Sequence, residues 1–133
     1  MSDEDRQLIE AATDLLKSRY HEPEHTVAAA MLASDGQIIT AINSHHFNGF
    51  VCAEMAALDQ AINQNITDID IVVGVKLRNG EAQVINPCGK CRQIYVDYAP
   101  NTSFLINDSG DLVKKSVAEL LPYAYVVNAE VKT

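Results

Sequence analysis

No run of apolar residues in this chain of 133 approaches the ~18 that a membrane-crossing helix needs, so no membrane partner is expected. Basic residues are scarce: 10 Lys and Arg stand against 18 Asp and Glu, a net charge of −8. A nucleic-acid backbone demands clustered Lys and Arg, and no nucleic-acid partner is expected either. The chain opens on Met1-Ser2-Asp3-Glu4-Asp5, the reverse in charge of a secretory leader's start. There are only three cysteines, an odd count that would leave a thiol unpaired in a secreted protein. Reduced thiols suit the cytoplasm, which is the expected compartment. Repeats, linkers and low-complexity tracts are missing too. With 47% hydrophobic and 21% charged residues, the composition is that of a globular chain, read as one domain over residues 1–133.

What is present alternates between helical and strand patterns. Ser2 can cap a helix carrying Leu8, Ile9, Ala12, Leu15 and Leu16 at helical spacing, ended at His21-Glu22-Pro23. Thr26 to Ala33 reads as a strand, turned by Ser34-Asp35-Gly36-Gln37 into a second strand, Ile38 to Asn43. Ser44 to Phe50 reads as a polar loop, and a helix is expected from Ala53 to about Asn63. Ile69 to Leu77 is Val/Ile-rich without alternation, as in a central strand covered on both faces. Gly89 to Tyr98 reads as a helix, Phe104 to Ile106 as a strand, and Ser116 to Leu121 as a short helix. The pattern predicts an α/β fold, a mixed sheet with helices on both faces.

The three cysteines fall in one arrangement: Cys52-Ala53-Glu54, then Pro87-Cys88-Gly89-Lys90-Cys91. Cys88 and Cys91, three apart at a helix start, share a face and can grip one metal ion. Cys52 opens another helix and supplies a third sulfur. Exposed N–H groups and the positive dipole end at both starts favour thiolates. Three protein ligands on Zn²⁺ leave a fourth position for water, the arrangement of a catalytic zinc. Glu54, two residues after Cys52, is placed to take that water's proton. Lys90 and Arg92 flank Cys91 and either hydrogen-bond the sulfurs from a second layer or face solvent.

Other uses of these thiols exist. A lone C-x-x-C serves redox chemistry in thioredoxin-like folds, but has no need of Cys52. A structural zinc closed by His45 or His46 would make the chain a non-catalytic interaction module.

The motifs resemble the paired zinc signatures of the nucleobase deaminases. Over nearly its whole length the chain resembles the cytidine deaminase family, in its small three-cysteine branch. His25-Thr26-Val27-Ala28-Ala29-Ala30 stands where that family has an aromatic-Pro-Val-Gly-Ala-Ala strand. Ala41-Ile42-Asn43 stands for Gly-Xaa-Asn, and Leu120-Leu121-Pro122 with Tyr125 for the C-terminal Leu-Leu-Pro-x-x-aromatic. Within the family, His46-Phe47-Asn48-Gly49, Pro87 to Gln93 and Asp108-Ser109 resemble the blasticidin-S deaminase branch most.

The resemblance implies a three-layer α/β/α sandwich around a five-stranded mixed sheet, and a homotetramer whose sites are completed by neighbouring subunits. It implies one Zn²⁺ per chain on Cys52, Cys88 and Cys91, with Glu54 catalytic. The implied reaction replaces the C4 amino group of a cytosine nucleoside by oxygen, releasing ammonia and a uracil product. Asn43 would bind the sugar, Ala53 would offer its carbonyl to the amino group, and Thr26, His25 and Tyr125 would line the pocket.

Two departures bear on the substrate. His45 stands where cytidine deaminases carry a carboxylate for the sugar. Glu81-Ala82-Gln83 stands where the blasticidin-S branch carries an arginine, with Arg78 further back. His25 also replaces the aromatic residue of the family strand, and Met55 an arginine that often follows the catalytic Glu. The expected substrate is a cytosine nucleoside or sugar-modified analogue, in preference to free cytosine.

Overall fold

A computed structural model describes residues 1–127 of the chain. The first helix, α1 (Asp3–Arg19), starts as its sequence predicts, with the Ser2 hydroxyl accepting the Asp5 N–H at 3.1 Å. Acidic residues fill its first turn and Lys17 and Arg19 its last, which complements the helix dipole. Its inward stripe is Asp5, Leu8, Ala12 and Leu16.

The sheet is built on β1 (Val27–Ala33), β2 (Ile38–Ile42), β5 (Ile69–Arg78), β6 (Glu81–Ile85), β7 (Ser103–Asp108) and β8 (Asp111–Ser116). Its order is β2-β1-β5-β7-β8, with β6 also paired to β5. Since β7 meets β5 only at Ile71 and Val72, and β6 meets it at Gly74 to Arg78, those two strands share one lane. The sheet is therefore five strands wide, as expected, although six strands build it. Only β5–β7 is parallel, which makes the sheet mixed.

Turn chemistry sets the hairpins. Asn79 and Gly80 both take positive φ between β5 and β6, and Ser109 and Gly110 do so between β7 and β8, the backbone that two-residue hairpins require. Between β2 and the second helix, the expected polar loop is instead a small hairpin, β3 (Ser44–His46) with β4 (Gly49–Val51). Every residue in it is exposed, so no hydrophobic alternation marks it in the sequence.

Helices α2 (Ala53–Asn63), α3 (Gly89–Tyr98) and α4 (Val117–Leu120) cover the face opposite α1. Ala28, Ala30 and Leu32 of β1 and Ile71, Val73 and Val75 of β5 meet Leu8, Ala12 and Leu16 of α1. On the other face Met31, Val72 and Phe104 meet Ala57, Leu58 and Ala61 of α2, Tyr95 of α3 and Val117 of α4. The three layers predicted from sequence are present. No helix among the described residues is long and apolar enough to cross a membrane.

Candidate active site

Cys52 and Cys88 occupy equivalent places, the N-cap positions of α2 and α3. Both have extended backbone there, and neither spends its side chain on a capping hydrogen bond. The sulfurs thus stand at two helix N-termini, and Cys91 adds a third from the first turn of α3. The three Sγ atoms lie within 4.8 Å of one another, with Cys52 and Cys88 3.9 Å apart. Tetrahedral ligation at a Zn–S length of about 2.3 Å separates sulfurs by about 3.8 Å. The donor set fits a zinc ion with little rearrangement. No histidine belongs to this cluster among the described residues.

Charge and burial around the sulfurs are uneven. Burial, then the Cys88 charge, pushes the Cys52 thiol up. Burial, then the Glu54 charge, pushes Cys91 up further. Burial also opposes ionisation of Cys88, but the backbone N–H groups of Cys91 and Lys90 and the neighbouring thiols outweigh it and hold that thiol down. Three adjacent thiolates without a cation would repel one another, so the set calls for a dication.

Glu54 sits in the first turn of α2 with only 4% of its surface exposed. Burial pushes its carboxyl above the usual carboxylate range, against the pull of its own backbone N–H. The helix turn that carries it is fixed from α3: the buried Tyr95 hydroxyl donates to the Glu54 carbonyl at 2.6 Å. Burial holds the Tyr95 phenol well above its ordinary pKa, so it stays a neutral donor. Its ring meets Phe104 edge-on at 5.0 Å.

A cavity of about 230 Å³ opens beside the sulfurs, lined by Val27, Asn43, His45, Phe50, Val51, Cys52, Ala53, Glu54, Ile85, Asn86 and Cys88. Asn43 and Ala53 thus share the cavity wall with Glu54, Cys52 and Cys88. Asn43 is largely committed: its Oδ1 accepts the N–H groups of Thr26 and Val27 at 2.7 and 3.0 Å, and its Nδ2 donates to the Thr26 hydroxyl at 3.3 Å. One N–H of the amide remains to give. Thr26 therefore acts on the cavity through Asn43. So does His25, whose Nδ1 meets the Asn43 carbonyl at 2.8 Å.

Tyr125 is not part of this cavity. The residue is 71% exposed, and its carbonyl accepts from Gln93 Nε2 at 3.0 Å. The two cations beside Cys91 also have other partners than sulfur. Lys90 Nζ lies 5.6 Å over the Phe50 ring. Arg92 donates from Nε to the Pro87 carbonyl at 2.8 Å and from Nη1 to the Leu120 carbonyl at 2.9 Å, tying the Cys88 approach to α4. His46 is spent within the hairpin, its Nδ1 accepting the Asn48 N–H at 3.1 Å.

Sequence reasoning passed over Val27, Val51, Ile85 and Asn86. The first three read as ordinary strand or loop apolars. Asn86 is the more instructive: its amide pairs with the Asn107 backbone through contacts of 2.8 and 3.1 Å, pinning the segment before Pro87-Cys88 to β7. An Asn just before a Pro carries no signal of that kind.

Comparison with known proteins agrees with this geometry. Residues 2–105 match the family model described as the cytidine and deoxycytidylate deaminase zinc-binding region. The chain is 35% identical over 135 residues to a blasticidin-S deaminase of Bacillus cereus, covering 96% of each chain. It is 34% identical over 103 residues to a cytidine deaminase of Halalkalibacterium halodurans, covering 74% of this chain and 76% of that one. Among solved structures, a cytidine deaminase from Burkholderia pseudomallei superposes with a TM-score of 0.75 at 28% identity, covering 94% of this chain and 100% of that one.

Proposed function

Because this chain belongs to the cytidine and deoxycytidylate deaminase zinc-binding family and is a zinc-dependent hydrolase of cytosine nucleosides or their analogues, we propose which of its residues perform that deamination. The observation that carries the assignment is the convergence of the three sulfurs beside a buried carboxylate. Cys52, Cys88 and Cys91 hold the zinc, and His45 and His46 do not. Zinc held there would supply a Lewis acid that lowers the pKa of a water.

Glu54 is the proton carrier. Its carboxylate accepts one proton of the attacking water and delivers it to the ring nitrogen next to C4; it then takes the second proton from the oxygen now bonded to C4 and gives it to the amino group, so the C4–N bond breaks, ammonia leaves and the uracil carbonyl remains. Burial suits it to this work, since a carboxyl raised toward neutrality both accepts and returns a proton. Ala53 presents its carbonyl to the 4-amino group, and the free N–H of Asn43 meets the sugar. At about 230 Å³ the cavity is below the ~300–1,000 Å³ of a pocket that encloses a whole ligand, so the base enters and the sugar remains at the rim.

That incompleteness supports a homotetramer in which neighbours finish each site. Tyr125, which does not line its own chain's cavity, lines a neighbour's in this proposal. The substrate is a cytosine nucleoside or a sugar-modified analogue. Lacking a carboxylate at His45, the rim holds a ribose hydroxyl less tightly by one charged hydrogen bond, about 1.5–3 kcal/mol. We place the enzyme in the cytoplasm, acting as a single domain.

Ammonia release tests the role of Glu54 and the preference for a sugar-bearing substrate. Cytidine, deoxycytidine and blasticidin S should each turn over faster than free cytosine. Glu54→Gln should abolish turnover of every one while keeping one zinc per chain. An active Glu54→Gln protein would end the assignment, and faster turnover of free cytosine would end the sugar argument.

A further inference from the structure

Gly74 stands inside β5, paired with Ala29 of β1 on one side and Ile85 of β6 on the other. Its backbone lies outside the left-handed region, so a need for unusual φ does not account for a glycine there. Close approach does. A Cβ built at Gly74 would lie 2.8 Å from Glu54 Oε2 and 3.3 Å from Glu54 Cδ, with Ile85 Cγ1 behind it at 3.5 Å. The carboxylate rests in the space that a side chain would fill.

We infer that Gly74 is a positioning residue for Glu54: the missing side chain is a recess in the sheet that sets where the carboxylate stands. The inference rests on the reading of Glu54 as proton carrier. Three facts decide what would move if the recess were filled. Residue 74 is held on both sides by strand pairing. Ile85 is already in contact distance behind it. The Glu54 carboxylate is the far end of a flexible side chain, so it is the part that yields. Ordinary contact begins near 3.4 Å against the 2.8 Å here, which displaces the carboxylate by about 0.6 Å. Proton transfer operates over a heavy-atom window of about 2.6–3.2 Å, so a shift of that size spans the whole window.

Gly74→Ala should therefore lower kcat about 10- to 100-fold with KM changed less than threefold, one zinc per chain retained, and the melting temperature unchanged or raised. Its crystal structure should show the Glu54 carboxylate displaced from β5. A double-mutant cycle separates positioning from general disturbance. Glu54→Asp withdraws the carboxylate by one methylene, so it should cost less in the Gly74→Ala background than in the wild type. Full activity of Gly74→Ala, loss of its zinc, or additive effects in the cycle would each overturn the inference while the assignment of Glu54 stands. An active Glu54→Gln enzyme would remove that assignment, and the inference with it.

Discussion

Arg92 shows how a charged residue beside a metal ligand can serve the site without touching sulfur. The flanking position left open a hydrogen bond to the sulfurs or a charge facing solvent, and its guanidinium instead spans the Pro87 and Leu120 carbonyls. Hydrogen bonds from a charged donor are worth about 1.5–3 kcal/mol, so Arg92→Ala should destabilise the protein by roughly that amount in urea. Arg92→Lys should recover little of it, since one ammonium cannot reproduce the two-armed geometry. Equal stability of wild type and Arg92→Ala would refute the tie. The cysteines were legible in the sequence because metal ligation imposes residue types at fixed spacing. Arg92's partners were not, because they lie 5 and 28 residues away on backbone atoms that no side-chain pattern reports.

Among the elements, the helices were read almost to the residue because caps and periodicity are local signals. α2 and α3 span Ala53–Asn63 and Gly89–Tyr98, the limits that the sequence suggested. The strands missed were β8 and β6 at the margins of the sheet and the β3–β4 hairpin, which bury too little to write a pattern. β8 nonetheless carries a consequential contact. Lys114 reaches Asp5 of α1 at 3.0 Å, where the Asp5 side chain is only 10% exposed. Lys114→Met should leave that carboxylate unpaired in a largely dry place. The cost of breaking a buried pair, about 3–5 kcal/mol, is reduced here because the lysine is partly solvated; about 1–2 kcal/mol is expected. Adding Asp5→Leu should restore most of the loss, since an apolar pair of similar volume removes the stranded charge. Chemical denaturation of the two variants beside the wild type checks both directions, and an undiminished Lys114→Met protein would show that the pair contributes nothing.

At the scale of the whole molecule, the unequal distribution of apolar surface is what points beyond one chain. Phe47 is 88% exposed, and Tyr123, Val126 and Val127 join Tyr125 on the outside. Monomeric proteins rarely leave so many large apolar groups in water without a partner surface, and closed symmetric assemblies are the usual solution. Light scattering should give four chains of 14.6 kDa each, and a monomer at micromolar concentration would contradict the assembly. The sequence made these residues visible but not their placement, since the same aromatics would have served equally well inside a core.

The recess at Gly74 also bears on how such an enzyme responds to selection. A glycine inside a strand costs about 0.5–1 kcal/mol relative to alanine, and here the one atom group that alanine would crowd is a side-chain end that can swing away. A screen that rewarded heat resistance alone would therefore enrich Gly74→Ala, and in doing so would harvest proteins that endure but scarcely turn over. On this inference heat resistance at position 74 gives no reason to keep glycine while turnover does, so thermostabilising libraries of this chain need the activity measurement at every round.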